Sequence, residues 1–247
     1  MKQSLFRSIR HKLLHEGKLL RYLSYAVGEV VLIIVGILFA LKINNWNEAQ
    51  ADRRTETKIL VEIQENLRHD LELIQRVMTN WKQYADDCDT ISRLLEEEAE
   101  DTTELISNVW KLRSSPHFDP NKSGYSLLST NGVGIILNDS LRRAITTLYE
   151  SSYSYYNRKE IEHDQFIHDY MDPVYLKYFS WDGEALFRGE RKLSQRDYER
   201  LLSDDYFAKL VKNIKREHLG ISDHARRTEK QIRELIEQLE TELKGSK

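Results

Sequence analysis

The chain is poor in the residues that build disulfide-rich, zinc-binding or β-rich domains. Among its 247 residues are one cysteine, three prolines and ten glycines. A lone Cys88 excludes an internal disulfide framework and a cysteine-based zinc site. Scarce proline and glycine, with no alternating β-branched runs, argue against a sheet protein. The composition therefore predicts an all-α fold.

Common enzyme motifs are also missing. The sequence contains no Gly-x-Ser-x-Gly, no His-Glu-x-x-His and no glycine-rich phosphate loop. Glu160 and His163 form one Glu-x-x-His pair, but a di-iron bundle needs two such pairs. Asp164, His168 and Asp172 recur every four residues, a pattern that a solvated helix surface also produces. We therefore expect no enzyme activity, no cofactor and no metal site.

Charge is divided unequally along the chain, which has 37 Lys and Arg against 40 Asp and Glu. Positions 1–25 hold six of the basic residues and one acidic residue, Glu16. The other 31 basic and 39 acidic residues give the rest of the chain a net charge of about −8. Binding to nucleic acid by neutralising its phosphates is therefore not expected.

One hydrophobic segment has the features of a membrane span. The uninterrupted run Val30–Leu41 has 12 residues and would cover only about 18 Å of a hydrocarbon core about 30 Å thick. The longer segment Tyr25–Ile43 has 19 residues and would reach about 28 Å, with Glu29 near its start. Trp46 follows it, as in the aromatic belts at headgroup level. We predict a transmembrane helix over residues 25–45.

The residues on either side of this segment indicate its orientation. Positions 1–24 are basic and carry apolar residues on one helical face, which favours an amphipathic segment lying on anionic lipid in the cytoplasm. The alternative is a solvated tail. A cleaved signal peptide would need a small-residue cleavage site, which "ALKINNWNEA" does not offer, so we predict an uncleaved signal anchor. Residues 46–247 then form a domain outside the cytoplasm.

The first long helix beyond the span is predicted from Asn47 onward, since neither Gly nor Pro occurs again before Arg113. Its apolar residues step by threes and fours, which is typical of a heptad-like, coiled-coil stripe on a helix of about 50 residues. We expect this helix to continue directly from the span. The stripe comprises Ile63, Leu67, Leu71, Ile74, Met78, Trp81, Ala85, Cys88, Ile91 and Leu95.

Further helices complete the predicted domain. Asn138 or Asp139 caps a long helix that Pro173 ends or kinks. The segment "SWDGEALFRGE" reads as a loop with aromatic anchors, after which a capped helix starts at Ser194. A final long helix is weakened at Gly220. Because no second apolar span occurs, these helices predict an elongated antiparallel bundle standing on a single anchor.

Two groups of residues are candidates for binding. In the span, Glu29 is an intramembrane carboxylate, and Gly36 and Ala40 form a small-xxx-small pair that lets helices approach closely. We expect this group, with Trp46 at the interface, to mediate self-association or docking to another membrane protein. The alternative is that the carboxylate sits at the interface and the small residues face lipid.

The second group is rich in tyrosine. Aromatic rings with polar tips can line a ligand pocket, although the same spacing suits packing in a core. His163 would then be a hydrogen-bonded core histidine. The residues are Tyr125, Tyr149, Tyr153, Tyr156 and His163.

Two motifs resemble a family of bacterial proteins that is known only as a domain of unknown function. One is "GEVVLIIVGILFALKINNWNE", in which a Gly-Glu-opened span ends in Asn-Asn-Trp-Asn; the other is the block "LLS..G...I.NDSLR..I..LY" about 80 residues later. The resemblance covers the chain from Lys2 to about Phe179. It implies a bacterial inner-membrane anchor and a helical periplasmic domain, and it implies no reaction.

These observations favour a single-pass membrane protein whose non-enzymatic helical domain acts as a scaffold or interaction module. A bundle that senses a ligand is one alternative, although about 25 cytoplasmic residues are too few for a signalling domain. A metal-dependent enzyme is the other alternative.

Overall fold

The computed structural model describes residues 18–182 and 190–245, and nearly all of them are helical. This confirms the predicted all-α class. The first helix is very long and includes both the apolar segment and the heptad-like stripe. The helices are α1 (Lys18–Glu96), α2 (Thr103–Lys111), α3 (Ser123–Asn131), α4 (Asp139–Thr146), α5 (Tyr153–Phe166), α6 (Asp172–Tyr178), α7 (Gln195–Leu202) and α8 (Asp205–Gly245).

Non-standard helical turns connect several of these elements. A 3-10 turn, Val133–Ile135, follows α3. Two π-helical segments, Thr147–Ser152 and Ile167–Met171, join α4, α5 and α6 into one continuous helical run. Pro173 does not end this run, which continues to Tyr178. It lies in the first turn of α6, where its missing N–H is tolerated best.

Side-chain caps begin two helices at the predicted positions. Asn138 accepts hydrogen bonds from the backbone N–H groups of Ser140 and Leu141 at 3.1 and 3.2 Å, and α4 starts there. Ser194 accepts one from the N–H of Asp197 at 3.1 Å before α7. Each such cap contributes about 1 kcal/mol.

The chain divides by its internal contacts into two units, Met1–Thr55 and Glu56–Lys247. The described part of the first unit is the beginning of α1. The second unit contains the rest of α1 and all the other described elements. It is this second unit that forms a packed bundle.

In the second unit, α8 runs antiparallel to α1. Three polar contacts join the two helices. As the residue number on α1 increases, the residue number of its partner on α8 decreases, so the two helices run in opposite directions. The pairs are Arg68 with Glu240, Gln75 with Glu229, and Asp89 with Lys215. By the same reasoning α5 runs parallel to α1, because Asp70 and Trp81 bond to Tyr153 and Tyr156 in that order.

The predicted stripe of α1 faces the interior of the bundle. All ten of its residues are buried or half-buried. All of them except Ala85 belong to or pack against one of two apolar clusters, one that includes Trp81 and one that includes Phe207 on α8. Both of these side chains are fully buried. Burial of such residues contributes about 1.5–3 kcal/mol per large side chain.

The segment "SWDGEALFRGE", which was predicted as a loop, begins and ends in paired strands, so the prediction is wrong at residues 180–182 and 190. Strands β1 (Phe179–Asp182) and β2 (Glu190–Leu193) pair antiparallel, and residues 183–189 lie outside the described part of the chain. The Arg191 guanidinium lies 4.0 Å from the ring centroid of Trp110 on α2 and 5.4 Å from that of Trp181, which attaches the hairpin to the bundle. Strands of four residues without β-branched side chains leave almost no periodic signal.

Candidate functional site

The candidate membrane segment of α1 is exposed on every side. Between Val30 and Leu41 each large apolar side chain is exposed, from 44% at Val35 to 74% at Leu32. A soluble core helix would instead bury most of this surface, and monomeric soluble proteins rarely expose an apolar patch so large. In the part of the chain that the structure describes, α1 is long and apolar enough to cross a membrane.

Three of the four predicted contact residues of this segment share one face of the helix. Glu29 and Gly36 are seven residues apart, or about two turns, and Ala40 follows one turn later. All three are exposed, and a Cβ added to Gly36 would meet no atom within 4 Å. Trp46 is 63% exposed at the far end of the segment. This face is therefore accessible to lipid or to a second helix.

The predicted tyrosine-rich group lies in the core of the second unit. Tyr149, Tyr153, Tyr156 and His163 are at most 3% exposed, and Tyr125 is half-buried beside them. Tyr125 stacks on Tyr149 with ring centroids 4.6 Å apart, and Tyr149 meets Tyr153 edge-on at 5.2 Å. The structure brings these rings together in one packed cluster.

Two residues outside the predicted group complete this cluster. Phe118 meets Tyr153 and Tyr156 edge-on at 5.2 and 5.8 Å. Trp81 donates a hydrogen bond from Nε1 to the Tyr156 hydroxyl at 3.2 Å, and its ring lies 4.9 Å from that of His163. Each aromatic pair stabilises the fold by about 0.5–1.5 kcal/mol beyond the area that it buries.

Two buried carboxyl groups anchor the segment between α2 and α3 to the core. Asp70 accepts hydrogen bonds from the backbone N–H of Asn121 at 2.8 Å and from the Tyr153 hydroxyl at 2.9 Å. Glu160 accepts one from the backbone N–H of Phe118 at 2.9 Å. Burial raises the pKa of both groups, that of Glu160 to about 7, although their hydrogen bonds oppose the rise.

Polar side chains of α1 hold the neighbouring backbone in the same way. Asn66 Oδ1 accepts from the N–H of Gly124 at 2.9 Å, and Glu56 Oε1 accepts from the N–H of Leu137 at 2.9 Å. Both side chains are buried. Asn66, Glu56 and Asp70 were not predicted from the sequence, because a polar residue beside an apolar stripe resembles solvated surface until its distant partner is known.

His163 is a core residue, but the expectation that it is hydrogen-bonded is wrong. Its ring lies 5.1 Å from the ring of His218 on α8, which sequence analysis did not identify, and both rings lie about 5 Å from Trp81. None of the four ring nitrogens forms a hydrogen bond of good geometry. Burial lowers the pKa of His163 to about 4 and that of His218 to about 3, so both are neutral at pH 7.

Of the three residues Asp164, His168 and Asp172, the last two are in contact and Asp164 contacts a different residue. His117 lies 3.7 Å from Asp164, while Asp172 lies 2.6 Å from Arg113 and 3.4 Å from His168. Within residues 18–182 and 190–245, no three His, Cys, Asp or Glu side chains form a group that could hold a metal ion.

Comparison with known proteins yields a family match and no further relatives. The model of a family of unknown function, DUF6090, matches residues 29–170, which is more than half of the chain. The match begins at Glu29 in the apolar segment and ends near the second π-helical segment. No curated protein and no solved structure match the chain.

Proposed function

The chain belongs to the DUF6090 family of unknown function, and from that premise we propose that it is a single-pass membrane protein with a non-enzymatic helical interaction domain. The observation that carries this proposal is the exposed apolar surface between Val30 and Leu41. In water that surface would drive aggregation, whereas in a bilayer it is matched by lipid.

The charge distribution supports an orientation with the amino terminus in the cytoplasm. Six basic residues precede the segment with one acidic residue among them, and basic residues next to a span are retained on the cytoplasmic side. The bundle would then lie in the periplasm of a bacterial inner-membrane protein. Its net charge of about −8 does not favour direct contact with anionic lipid.

A scaffold role is supported by what the buried polar groups of the bundle do. Asp70, Glu160, Asn66 and Glu56 all accept backbone N–H groups from the segment between α2 and α4. Groups that are engaged in this way fix the shape of a domain. The face with Glu29, Gly36 and Ala40 is the surface that we propose for self-association or for docking to another membrane protein.

Extraction of membranes with alkaline carbonate tests the anchor. The wild-type chain should stay with the membrane pellet, whereas Ile34→Lys/Leu38→Lys should appear in the soluble fraction, because each lysine at mid-span costs about 2.5–3.5 kcal/mol. Ile161→Lys is the matched control, since Ile161 is an exposed apolar residue of α5. Extraction of the wild-type chain by carbonate would refute the proposal.

Labelling with a membrane-impermeant maleimide tests the orientation. Cys88 is the one cysteine and is buried, so Cys88→Ala provides a background without thiols. In intact cells with a permeable outer membrane, Ser154→Cys in the bundle should react and Ser8→Cys should react only after lysis. The reverse pattern would place the bundle in the cytoplasm.

Photocrosslinking in intact membranes tests the contact face. A photoreactive residue at Glu29 should capture a second copy of the chain or one defined membrane protein. The control is the same residue at Leu38, on the opposite face, where capture of lipid is expected. Equal capture of lipid from both positions would mean that the span only anchors the protein and does not bind another helix.

A further inference from the structure

A groove on the bundle surface lies between the α4–α5 run and α8. Its volume is about 600 Å³, within the range of about 300–1,000 Å³ that is typical of small-molecule sites. One wall is formed by residues of the first π-helical segment and of α5, and the other by residues of α8. The polar and aromatic residues that line the groove include Ser151, Ser152, Ser154, Tyr155 and Arg158 on the first wall and Arg227 on the second.

The two arginines bring positive charge to the groove from both sides. Arg158 on α5 and Arg227 on α8 are exposed, and within residues 18–182 and 190–245 neither forms an ion pair. By contrast, Arg68 and Arg233 of the same bundle are paired with carboxylates. Arg158 lies 5.7 Å from the Tyr155 ring centroid, which positions it by a cation–π contact.

His224 also lines the groove. Its ring meets Tyr155 edge-on at 5.2 Å. Burial lowers the pKa of His224, and the charges of Arg227 and Lys159 lower it further, while Glu162 acts in the opposite direction. The imidazole is therefore neutral at pH 7 and available as a hydrogen-bond donor in a locally positive environment.

The acidic residues near the groove are engaged elsewhere. Glu150 lines the groove, but its Oε1 accepts the hydroxyl hydrogen of Tyr125 at 2.7 Å. Glu162 pairs with Lys159 at 2.6 Å. Glu162 also acts on Arg158 and His224, so the positive charge available to a ligand is that of Arg158, Arg227 and Lys159, reduced by the carboxylates of Glu150 and Glu162.

The first π-helical segment supplies hydroxyl groups to the same place. Its extra residue per turn shifts the register of the helix, and Ser151 and Ser152 line the groove together with Ser154 of α5. Single-turn π segments are rare and frequently occur at functional sites. Serine hydroxyls and two arginines that line the same groove make a set of donors suited to an oxyanion.

We propose that this groove binds a small molecule that carries a phosphate group. Arg158 and Arg227 hold the phosphate from opposite walls, the serine hydroxyls donate to its oxygens, and the half-exposed ring of Tyr155 packs against the rest of the ligand. The groove is larger than a single phosphate requires. The proposal is independent of the membrane anchor, because all of its residues belong to the second unit.

Titration calorimetry on the full chain in mild detergent tests this site. The probes are inorganic phosphate and phenyl phosphate, with chloride at equal ionic strength as the blank. Phenyl phosphate should bind more tightly, and Tyr155→Ala should abolish that advantage while leaving binding of inorganic phosphate unchanged. Arg158→Gln and Arg227→Gln should each weaken binding of both probes about tenfold or more.

The matched control is Arg216→Gln, which removes an exposed arginine from α8 beside a different groove. It should leave both affinities unchanged, and thermal melts without ligand should be the same for all three arginine variants. A third probe, mixed micelles with phosphatidylglycerol, identifies the source of the phosphate. Binding to these micelles alone, lost in Arg227→Gln, would assign the site to a lipid headgroup. Binding to none of the probes, or equal losses in Arg216→Gln, would overturn the proposal.

Discussion

The imidazole rings of His163 and His218 lie 5.1 Å apart in the core of the bundle, and neither ring has a hydrogen-bond partner of good geometry. His163 comes from α5 and His218 from α8, and Trp81 of α1 contacts both. Three helices therefore meet at one polar point between the two apolar clusters. Asp164 favours a proton on His163, but burial of the ring opposes it more strongly.

Acid should destabilise the bundle through this pair. Their folded-state pKa values of about 4 and about 3 lie below the ordinary 6.5, so the unfolded chain binds protons first as the pH falls. The contribution of the pair to the free energy of unfolding should thus be fully present above pH 6.5 and be lost from there to about pH 3. The expected loss is on the order of 3 kcal/mol per histidine. Urea titrations of the full chain in detergent at several pH values measure it.

Substitution identifies the source of the effect. His218→Leu should flatten the decrease between pH 6.5 and pH 4, because a buried neutral side chain has no proton to bind. His69→Gln, at an exposed position on α1, should leave the pH profile unchanged. If His218→Leu keeps the full wild-type slope, the pair does not cause the acid sensitivity.

Removing the Asp70 carboxylate should strongly destabilise the bundle. Asp70→Ala leaves the N–H of Asn121 and the hydroxyl of Tyr153 without an acceptor in the core, at a cost of about 3 kcal/mol. Tyr153→Phe removes one of the two donors and should cost about 1–2 kcal/mol. Tyr155→Phe, at an exposed tyrosine, is the control and should cost almost nothing.

A double-mutant cycle sharpens this test. Asp70→Ala with Tyr153→Phe should be less destabilising than the sum of the single changes, since each single variant has already broken the shared hydrogen bond. Denaturant melts of the four proteins give the coupling energy. Additive losses would mean that the bond between these two side chains contributes nothing to stability.

Glu160 should make the bundle less stable as the pH rises, the opposite of the histidines. Its pKa is raised from 4.5 to about 7, so its contribution is fully present below pH 4.5 and is lost as the pH rises through 7. Glu160→Gln stays neutral and can still accept from Phe118. The free energy of unfolding of this variant, relative to that of the wild type, should increase by on the order of 2–3 kcal/mol as the pH rises from 4 to 8. Glu237→Gln, at an exposed site, should show no such gain.

Much of the fold could be predicted because its signals are local. The stripe from Ile63 to Leu95 repeats with the period of a helix. Asn138 and Ser194 cap helices through hydrogen bonds to residues only two or three positions later. The hairpin was missed because its stability comes from Arg191 stacking on Trp110, a contact between residues 81 positions apart. No local pattern records such a contact.

The same distinction explains which parts of the candidate sites were predicted. The apolar segment and the position of Glu29 in it can be read directly from the sequence. His218 sits in the apolar stripe of α8 and has no neighbour in sequence that points to His163, 55 positions earlier. The groove with Arg158 and Arg227 likewise exists only once α5 and α8 pack together.

Replacing each of two glycines by alanine should change the stability of the bundle in opposite directions. A Cβ on Gly124 would lie 2.8 Å from the backbone nitrogen of Ile63 and 2.9 Å from its Cγ1, and backbone at that distance cannot move aside. Gly124→Ala should therefore cost about 1–3 kcal/mol as α3 is pushed from α1. A Cβ on Gly220 would meet nothing within 4 Å in the middle of α8, so Gly220→Ala should stabilise by about 0.5–1 kcal/mol. Urea midpoints of the two variants test both signs, and a neutral Gly124→Ala would mean that α3 does not approach α1 so closely.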